Sequence, residues 1–186
     1  MLRVISGTAR NHNLITPEGL ETRPTTDRIR ETLFNVLQFD IPGSVVVDLF
    51  AGSGAIGIES LSRGAKYAYF VDNAKEPVKC ITENLNHTHL ADKACVLCKD
   101  AISALSDIHE AKVDFVFMDP PYSLGIEQSV LSILINMPYF TDDTSVIIEA
   151  ALDTEFDFLE GIGLEVYKTK EYKTNKHLFI RKRVSD

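Results

Sequence analysis

Three consecutive valines, Val45-Val46-Val47, run into Asp48 and then into Leu49-Phe50-Ala51-Gly52-Ser53-Gly54-Ala55-Ile56-Gly57. A short, uninterrupted apolar run that ends in a glycine loop and an amphipathic stretch has the pattern of a strand buried on both faces that turns directly into a helix. Such a strand needs partners on both sides and helices above and below. Further apolar runs at 67–71, 94–97, 113–118 and 145–148 supply the partners, and helical patterns near 55–64, 75–86, 101–109 and 126–135 lie between them. This alternation predicts an α/β fold: a mostly parallel, twisted sheet of about seven strands with helices on both faces. Segments 163–170 and 177–183 have no helix between them and are expected to pair antiparallel at the sheet edge.

The first 40 residues follow a different pattern. Residues 2–6 and 13–15 read as two short strands of a hairpin, and Pro17-Glu18-Gly19 as a turn. Thr25 or Thr26 is placed to cap a helix carrying Ile29, Leu33, Val36 and Leu37 on one face, and Ile41-Pro42-Gly43 ends it. Residues 1–40 are therefore expected to be an appendage packed on a main domain spanning 41–186. The start of the chain lacks the apolar core of a signal segment, and no later run approaches the roughly 18 apolar residues of a membrane span, so a soluble, cytoplasmic protein without a membrane partner is expected. Three cysteines, Cys80, Cys95 and Cys98, make no disulfide framework. Cys95 and Cys98 have redox or zinc spacing, but residues i and i+3 of a strand point to opposite faces, so two buried strand thiols and no metal are expected.

Gly52, Gly54 and Gly57 fit G-x-G-x-x-G, and Asp72 follows at the distance of an acid that binds ribose hydroxyls. That pattern alone suits a nicotinamide dinucleotide as well as S-adenosylmethionine. Asp48 separates the two, because a carboxylate at the end of the first strand would repel a pyrophosphate brought to the helix N-terminus. Adenosylmethionine has no phosphate and carries an ammonium and a sulfonium, which an acid attracts. Asp100, ending the third strand, is expected beside the adenine; Asp72 and Asp100 each also suit a helix cap. Phe50, Ala51, Ser53, Asn73 and Ala101 complete the expected cofactor site.

The run 113–118 ends in Asp119-Pro120-Pro121-Tyr122, at the carboxyl edge of the sheet where ligands bind. Two prolines remove two N–H donors and fix the backbone, leaving rigid carbonyl acceptors beside the Asp119 carboxylate. Tyr122 adds an aromatic face for a planar base, a contact worth about 1–3 kcal/mol. Two acceptors and a stacking plate suit an NH₂ group on a flat ring. Such an amine is a poor nucleophile, and hydrogen bonds from its N–H groups would aim its lone pair at a methyl donor.

Both motifs together make the chain resemble class I, Rossmann-like amino methyltransferases. It resembles more closely the RsmD-type family of 16S ribosomal RNA guanine-N2 methyltransferases, through Arg3-Val-Ile-Ser-Gly, Arg23-Pro-Thr-Thr-Asp-Arg-Ile-Arg-Glu-Thr-Leu-Phe-Asn35, Gly57-Ile-Glu-Ser-Leu-Ser-Arg-Gly-Ala65, Tyr172 and Leu178-Phe179. The resemblance implies that Asp48, Gly52 and Gly54 hold the methionine part of the cofactor, Asp72 its ribose and Asp100 its adenine edge, with residues 119–122 at the base. It implies that the N-terminal hairpin and helix contact RNA and close over the cofactor. Net charge is −8, but residues 1–30 carry +2, residues 168–186 carry +5 and the middle −15. Basic ends on an acidic body suit an anionic partner, with Arg3, Arg10, Arg23, Arg28 and Arg30 on phosphates of ribosomal RNA, within a small-subunit particle and with the enzyme a monomer. Three other readings remain open: a DNA adenine or cytosine methyltransferase, a methyltransferase of a protein glutamine amide, and a non-catalytic RNA-binding assembly factor.

Overall fold

The valine strand forms the middle of the sheet. The computed structural model describes residues 2–17, 27–121 and 125–183. Seven strands, β1 (Val45–Asp48), β2 (Tyr67–Asp72), β3 (Ala94–Cys98), β4 (Phe115–Met118), β5 (Ser145–Ala151), β6 (Leu164–Glu171) and β7 (Asn175–Lys182), lie in the order β3-β2-β1-β4-β5-β7-β6. The first five are parallel, and β7 runs antiparallel to β5 and β6. This is the expected Rossmann-like architecture. Chain order reverses direction between β1 and β4, which opens a crevice at their carboxyl ends.

Side chains alternate between two apolar cores, one on each sheet face. Val45, Val47, Val116, Met118, Val146 and Ile148 join α4 (Ala101–Ala104) and α5 (Glu127–Leu134) in one of them. Val46, Phe70, Phe115, Phe117, Ile147 and Phe179 pack in the other against α2 (Ala55–Ser62) and α3 (Lys75–His87). The N-terminal segment enters this second core through Val4, Ala9 and Leu14, and α1 (Asp27–Leu37) through Leu33, Phe34 and Leu37. The buried face of α1 is Arg30, Leu33, Phe34 and Leu37, one residue round from the expected one, so that Ile29 and Val36 are only half-buried. The expected caps Thr25 and Thr26 lie outside the described residues.

The expected N-terminal hairpin is reduced to one bridge, Arg3 to Asn13. Val4 N–H still donates to the His12 carbonyl, Leu14 N–H to the Leu2 carbonyl and Asn11 N–H to the Val4 carbonyl, each at 2.9 Å, and other backbone donors go to α2. Ile5 and Ser6 N–H donate to the Glu59 carboxylate at 2.8 and 3.1 Å, Ala9 N–H to Ser62 Oγ at 2.9 Å and Thr8 N–H to the Ser62 carbonyl at 2.8 Å. The turn expected at Pro17-Glu18-Gly19 extends outside the described residues. The helix expected over 101–109 is the single turn of α4 followed by a 3-10 turn at 105–107, and a short α6 (Phe158–Gly161) has no counterpart in the sequence reading. Cys95 is half-buried and Cys98 exposed, not both buried as expected, because β3 is the edge strand. Among the described residues no helix is long and apolar enough to cross a membrane.

Glu59 is fully buried and joins the two backbone donors to Arg63, whose Nε donates at 2.7 Å. Glu59→Ala would strip three half-buried donors of their acceptor, and stability is expected to fall by about 3–5 kcal/mol. Amide hydrogen exchange at Ile5 and Ser6 should accelerate most; unchanged protection there would show that the carboxylate does not hold the segment.

Candidate active site

Strand register places the site. In β1, Asp48 pairs with Phe117 of β4 and with Phe70 of β2, so Asp119 and Asp72 each follow two residues beyond the partner of Asp48. Asp72 in turn pairs with Cys98, and Asp100 follows two residues later. Met118 pairs with Ile148, which sets Asp119 level with Glu149, and Glu149 pairs directly with His177. An acidic row thus crosses the carboxyl edge of the sheet.

These side chains line one cleft of about 1220 Å³. Its walls include Asp48, Phe50, Ala51, Gly52, Ser53, Asp72, Asn73, Asp100, Ala101, Asp119 and Pro121 from the expected site. Gly54 and Pro120 are buried just behind the wall, while Tyr122 lies outside the described residues. A smaller concavity of about 590 Å³, around Phe156, Leu164 and Arg183, carries none of these groups.

The loop glycines meet different demands. Gly52 and Gly54 have φ of 54° and 78°, and an added Cβ at Gly52 would meet nothing within 4 Å, so its backbone faces open cleft. A Cβ at Gly57 would stand 2.3 Å from the Phe70 ring, so this glycine lets α2 pack closely on β2. Gly52 N–H donates to Asp72 Oδ2 at 3.1 Å and Ala74 N–H to Asp72 Oδ1 at 3.0 Å, which fixes that carboxylate beside the loop. Asp100 both lines the cleft and caps α4, accepting from Ser103 N–H at 2.9 Å; hydrogen bonding to Ser103 holds its carboxyl below the usual range.

Asp48 is 4% exposed, and its buried Oδ2 has no hydrogen-bond partner. Burial is the main cause that pushes its carboxyl up to about 7, against the lowering effect of the Gly57 and Phe50 amides. Asp119 is also pushed up to about 7, by desolvation first and then by the charges of Glu149 and Asp48. Asp119 opens onto the cleft, and the water there softens its desolvation, so Asp48 carries the larger penalty.

The expected arginines are not alike. Arg10 and Arg28 are exposed, Arg3 is exposed but paired with Asp27 at 3.1 Å, and Arg23 lies outside the described residues. Arg30 corrects the expectation of a phosphate contact on the outer surface: it is 1% exposed, because its place on α1 falls in register with Leu33, Phe34 and Leu37. Its guanidinium donates to the Arg3 carbonyl and to Asp27, its buried Nε has no hydrogen-bond partner, and the residue is among those that line the cleft.

Residues 2–181 match the family model described as Conserved hypothetical protein 95. The chain belongs to this family. It is 34% identical over 172 residues to YlbH of Bacillus subtilis, named for rRNA methylation, covering 91% of this chain and 92% of that one. It is 34% identical over 152 residues to ribosomal RNA small subunit methyltransferase D of Escherichia coli, covering 82% and 76%. The solved structure of the yhhF methyltransferase of Escherichia coli superposes with a TM-score of 0.85 at 30% identity over 99% of both chains. The chain is thus a methyltransferase of the RsmD type.

For this methyltransferase, sequence reading missed Glu149 and His177, both in the cleft wall. The signal was available: Glu149 closes the apolar run Val146-Ile147-Ile148 just as Asp48 closes Val45-Val46-Val47.

The raised carboxyl of Asp48 sets a pH dependence. In the ligand-free protein its stabilising effect is complete below the unfolded carboxyl range near pH 4 and is lost as pH rises through about 7, where the buried group ionises. Asp48→Asn should therefore make the ligand-free protein more stable at pH 8, by on the order of 2–4 kcal/mol, with little difference at pH 4. Urea unfolding at the two pH values checks it, and a less stable variant at pH 8 would contradict the burial argument.

Proposed function

We propose that this methyltransferase transfers a methyl group from S-adenosylmethionine to the exocyclic N2 of a guanine in 16S, small-subunit ribosomal RNA. The observation that carries the reading is the unpartnered, buried oxygen of Asp48 in the same cleft as Asp119.

The residues present fit the cofactor. Asp48 and Arg30 are residues of opposite charge that both line the cleft, and each has a buried polar atom without a partner, Oδ2 and Nε, which suits the α-ammonium and α-carboxylate of a methionine moiety. The open face of Gly52 admits close approach, Asp72 stands for the ribose hydroxyls and Asp100 for the adenine edge, with Phe50, Ala51, Ser53, Gly54, Asn73 and Ala101 around them. A dinucleotide would bring phosphate against Asp48. When bound, S-adenosylmethionine supplies an electrophilic methyl group on a positively charged sulfur.

At the base, Asp119 and the rigid Pro120 carbonyl accept the two N–H bonds of the amine, with Pro121 fixing the turn, and direct its lone pair at the donor. The nitrogen gains a methyl group and positive charge and then gives up one proton, which Asp119, with its carboxyl raised to about 7, is suited to take near neutral pH. Tyr122 supplies the stacking face that holds the base out of its own stack. Arg3, Arg10, Arg23 and Arg28 engage phosphates at the N-terminal side, so that folded RNA in a small-subunit particle is read by shape by a cytoplasmic, monomeric enzyme. The likeness to the Escherichia coli enzyme, named for the small subunit, supports that substrate.

The test is to incubate the protein and methyl-labelled adenosylmethionine with free 16S RNA, small subunits and DNA, and to identify the labelled nucleoside. N2-methylguanosine from the RNA is expected; label in DNA adenine, in a protein glutamine, or nowhere would overturn the proposal. Asp119→Ala should lower kcat by about 10² or more while RNA and cofactor Kd change little. Near-normal turnover would remove Asp119 from the chemistry.

A further inference from the structure

We propose that Glu149 is the residue that selects guanine, accepting the base's N1–H while Asp119 takes an N2–H. This rests on the guanine-N2 reading above and deepens it.

Three adjacent strands put Asp119, Glu149 and His177 in a row. Asp119 and Glu149 follow the paired residues Met118 and Ile148, and Glu149 pairs across β5 and β7 with His177. All three line the cleft. Strand alternation gives them the same sheet face as Phe117, Ile147 and Phe179, the face that α1 covers. The two carboxylates are close enough for the charge of Glu149 to act on Asp119.

Glu149 is also held in place. Asn175 Nδ2 donates to Oε1 at 2.5 Å, His177 Nε2 lies 3.3 Å from Oε2, and the Tyr172 hydroxyl lies 3.2 Å from His177 Nδ1. The side chains of Glu149 and His177 are 12% and 3% exposed. With Nε2–H donating to Glu149, Nδ1 accepts from Tyr172, and the whole chain fixes the orientation of one carboxylate. A carboxylate has about four acceptor positions, so Glu149 serves Asn175, His177 and a base edge together.

The chemistry of the base edges does the rest. The Watson–Crick edge of guanine presents N1–H and N2–H₂, donors side by side, and two neighbouring carboxylates match them. The corresponding edge of adenine presents an N6–H₂ donor next to the N1 lone pair, which would face Glu149 with like charge. A site built around a donor rejects an analogue that lacks it, because the buried acceptor is then left unpaired.

The probe is 2-aminopurine, which keeps the 2-amino group but carries a lone pair at N1. It is placed in small-subunit RNA at the position that the labelled-nucleoside experiment identifies. Wild-type enzyme should methylate guanine about 10²-fold or more faster than 2-aminopurine in kcat/KM. Glu149→Gln, whose amide can donate to N1, should lose guanine activity and bring the ratio to within about tenfold. If the wild type accepts 2-aminopurine within about threefold of guanine, Glu149 does not read N1–H, although the guanine-N2 assignment stands. If guanine itself is not labelled, the functional reading has failed first. Because 2-aminopurine also lacks O6, narrowing of the ratio in Glu149→Gln, or in Glu149→Ala where the Gln variant does not fold, ties the discrimination to N1–H, and a ratio unchanged in the variant would overturn the proposal.

Discussion

Burying the Asp48 carboxylate at the end of β1, with one oxygen lacking a partner, costs the ligand-free protein free energy. Hydrophobic folding would favour a fourth valine there. The surroundings of Asp48 only partly offset the cost: amides of Gly57 and Phe50 oppose the rise of its carboxyl without cancelling it. In the function proposed above, the positive charge of the cofactor removes the remainder. Arg30, on the N-terminal helix, also lines the cleft and is a buried cation whose Nε has no hydrogen-bond partner. On the proposed reading, the N-terminal helix and the sheet each contribute one half of a site for a zwitterion.

Parallel strands in register repeat the device. Where β1, β2, β4 and β5 leave the core, each meets an acid: Asp48, Asp72, Asp119 and Glu149. The topological reversal between β1 and β4 separates the acids into two groups that share one cleft. Asp48 and Asp72 lie on the glycine-loop side, and Asp119 and Glu149 on the other. On the proposed reading, cofactor and base have adjoining floors. Burial first, and then the charges of Glu149 and Asp48, raise the Asp119 carboxyl, a cost that the donor-rich and cationic ligands of the proposed reading would offset.

Much of this was legible in the sequence because strand burial and loop glycines leave local marks. The valine run, the glycine spacing and the aspartate after each early strand located β1, β2, β3, β4 and the cleft residues Asp48, Asp72, Asp100 and Asp119. What was illegible depends on partners distant in the chain. Glu149 gains its place from register with Met118 and from His177, 28 residues on. Arg30 reads as a surface cation until the packing of α1 is known, and its burial turns the expected face by one residue. The N-terminal hairpin is shortened for the same reason: it keeps the Arg3–Asn13 bridge, but Glu59 of α2 takes the backbone donors of Ile5 and Ser6.

The most direct measurement of the central claim is calorimetric titration of the protein with S-adenosylmethionine, S-adenosylhomocysteine and NAD, for the wild type and Asp48→Asn. The account predicts binding of the two adenosyl ligands, none of NAD, and a loss of roughly 10- to 10²-fold in adenosylmethionine affinity in the variant, the worth of a charge-assisted contact. Binding of NAD by the wild type, or an Asp48→Asn protein that holds adenosylmethionine as tightly as before, would contradict it.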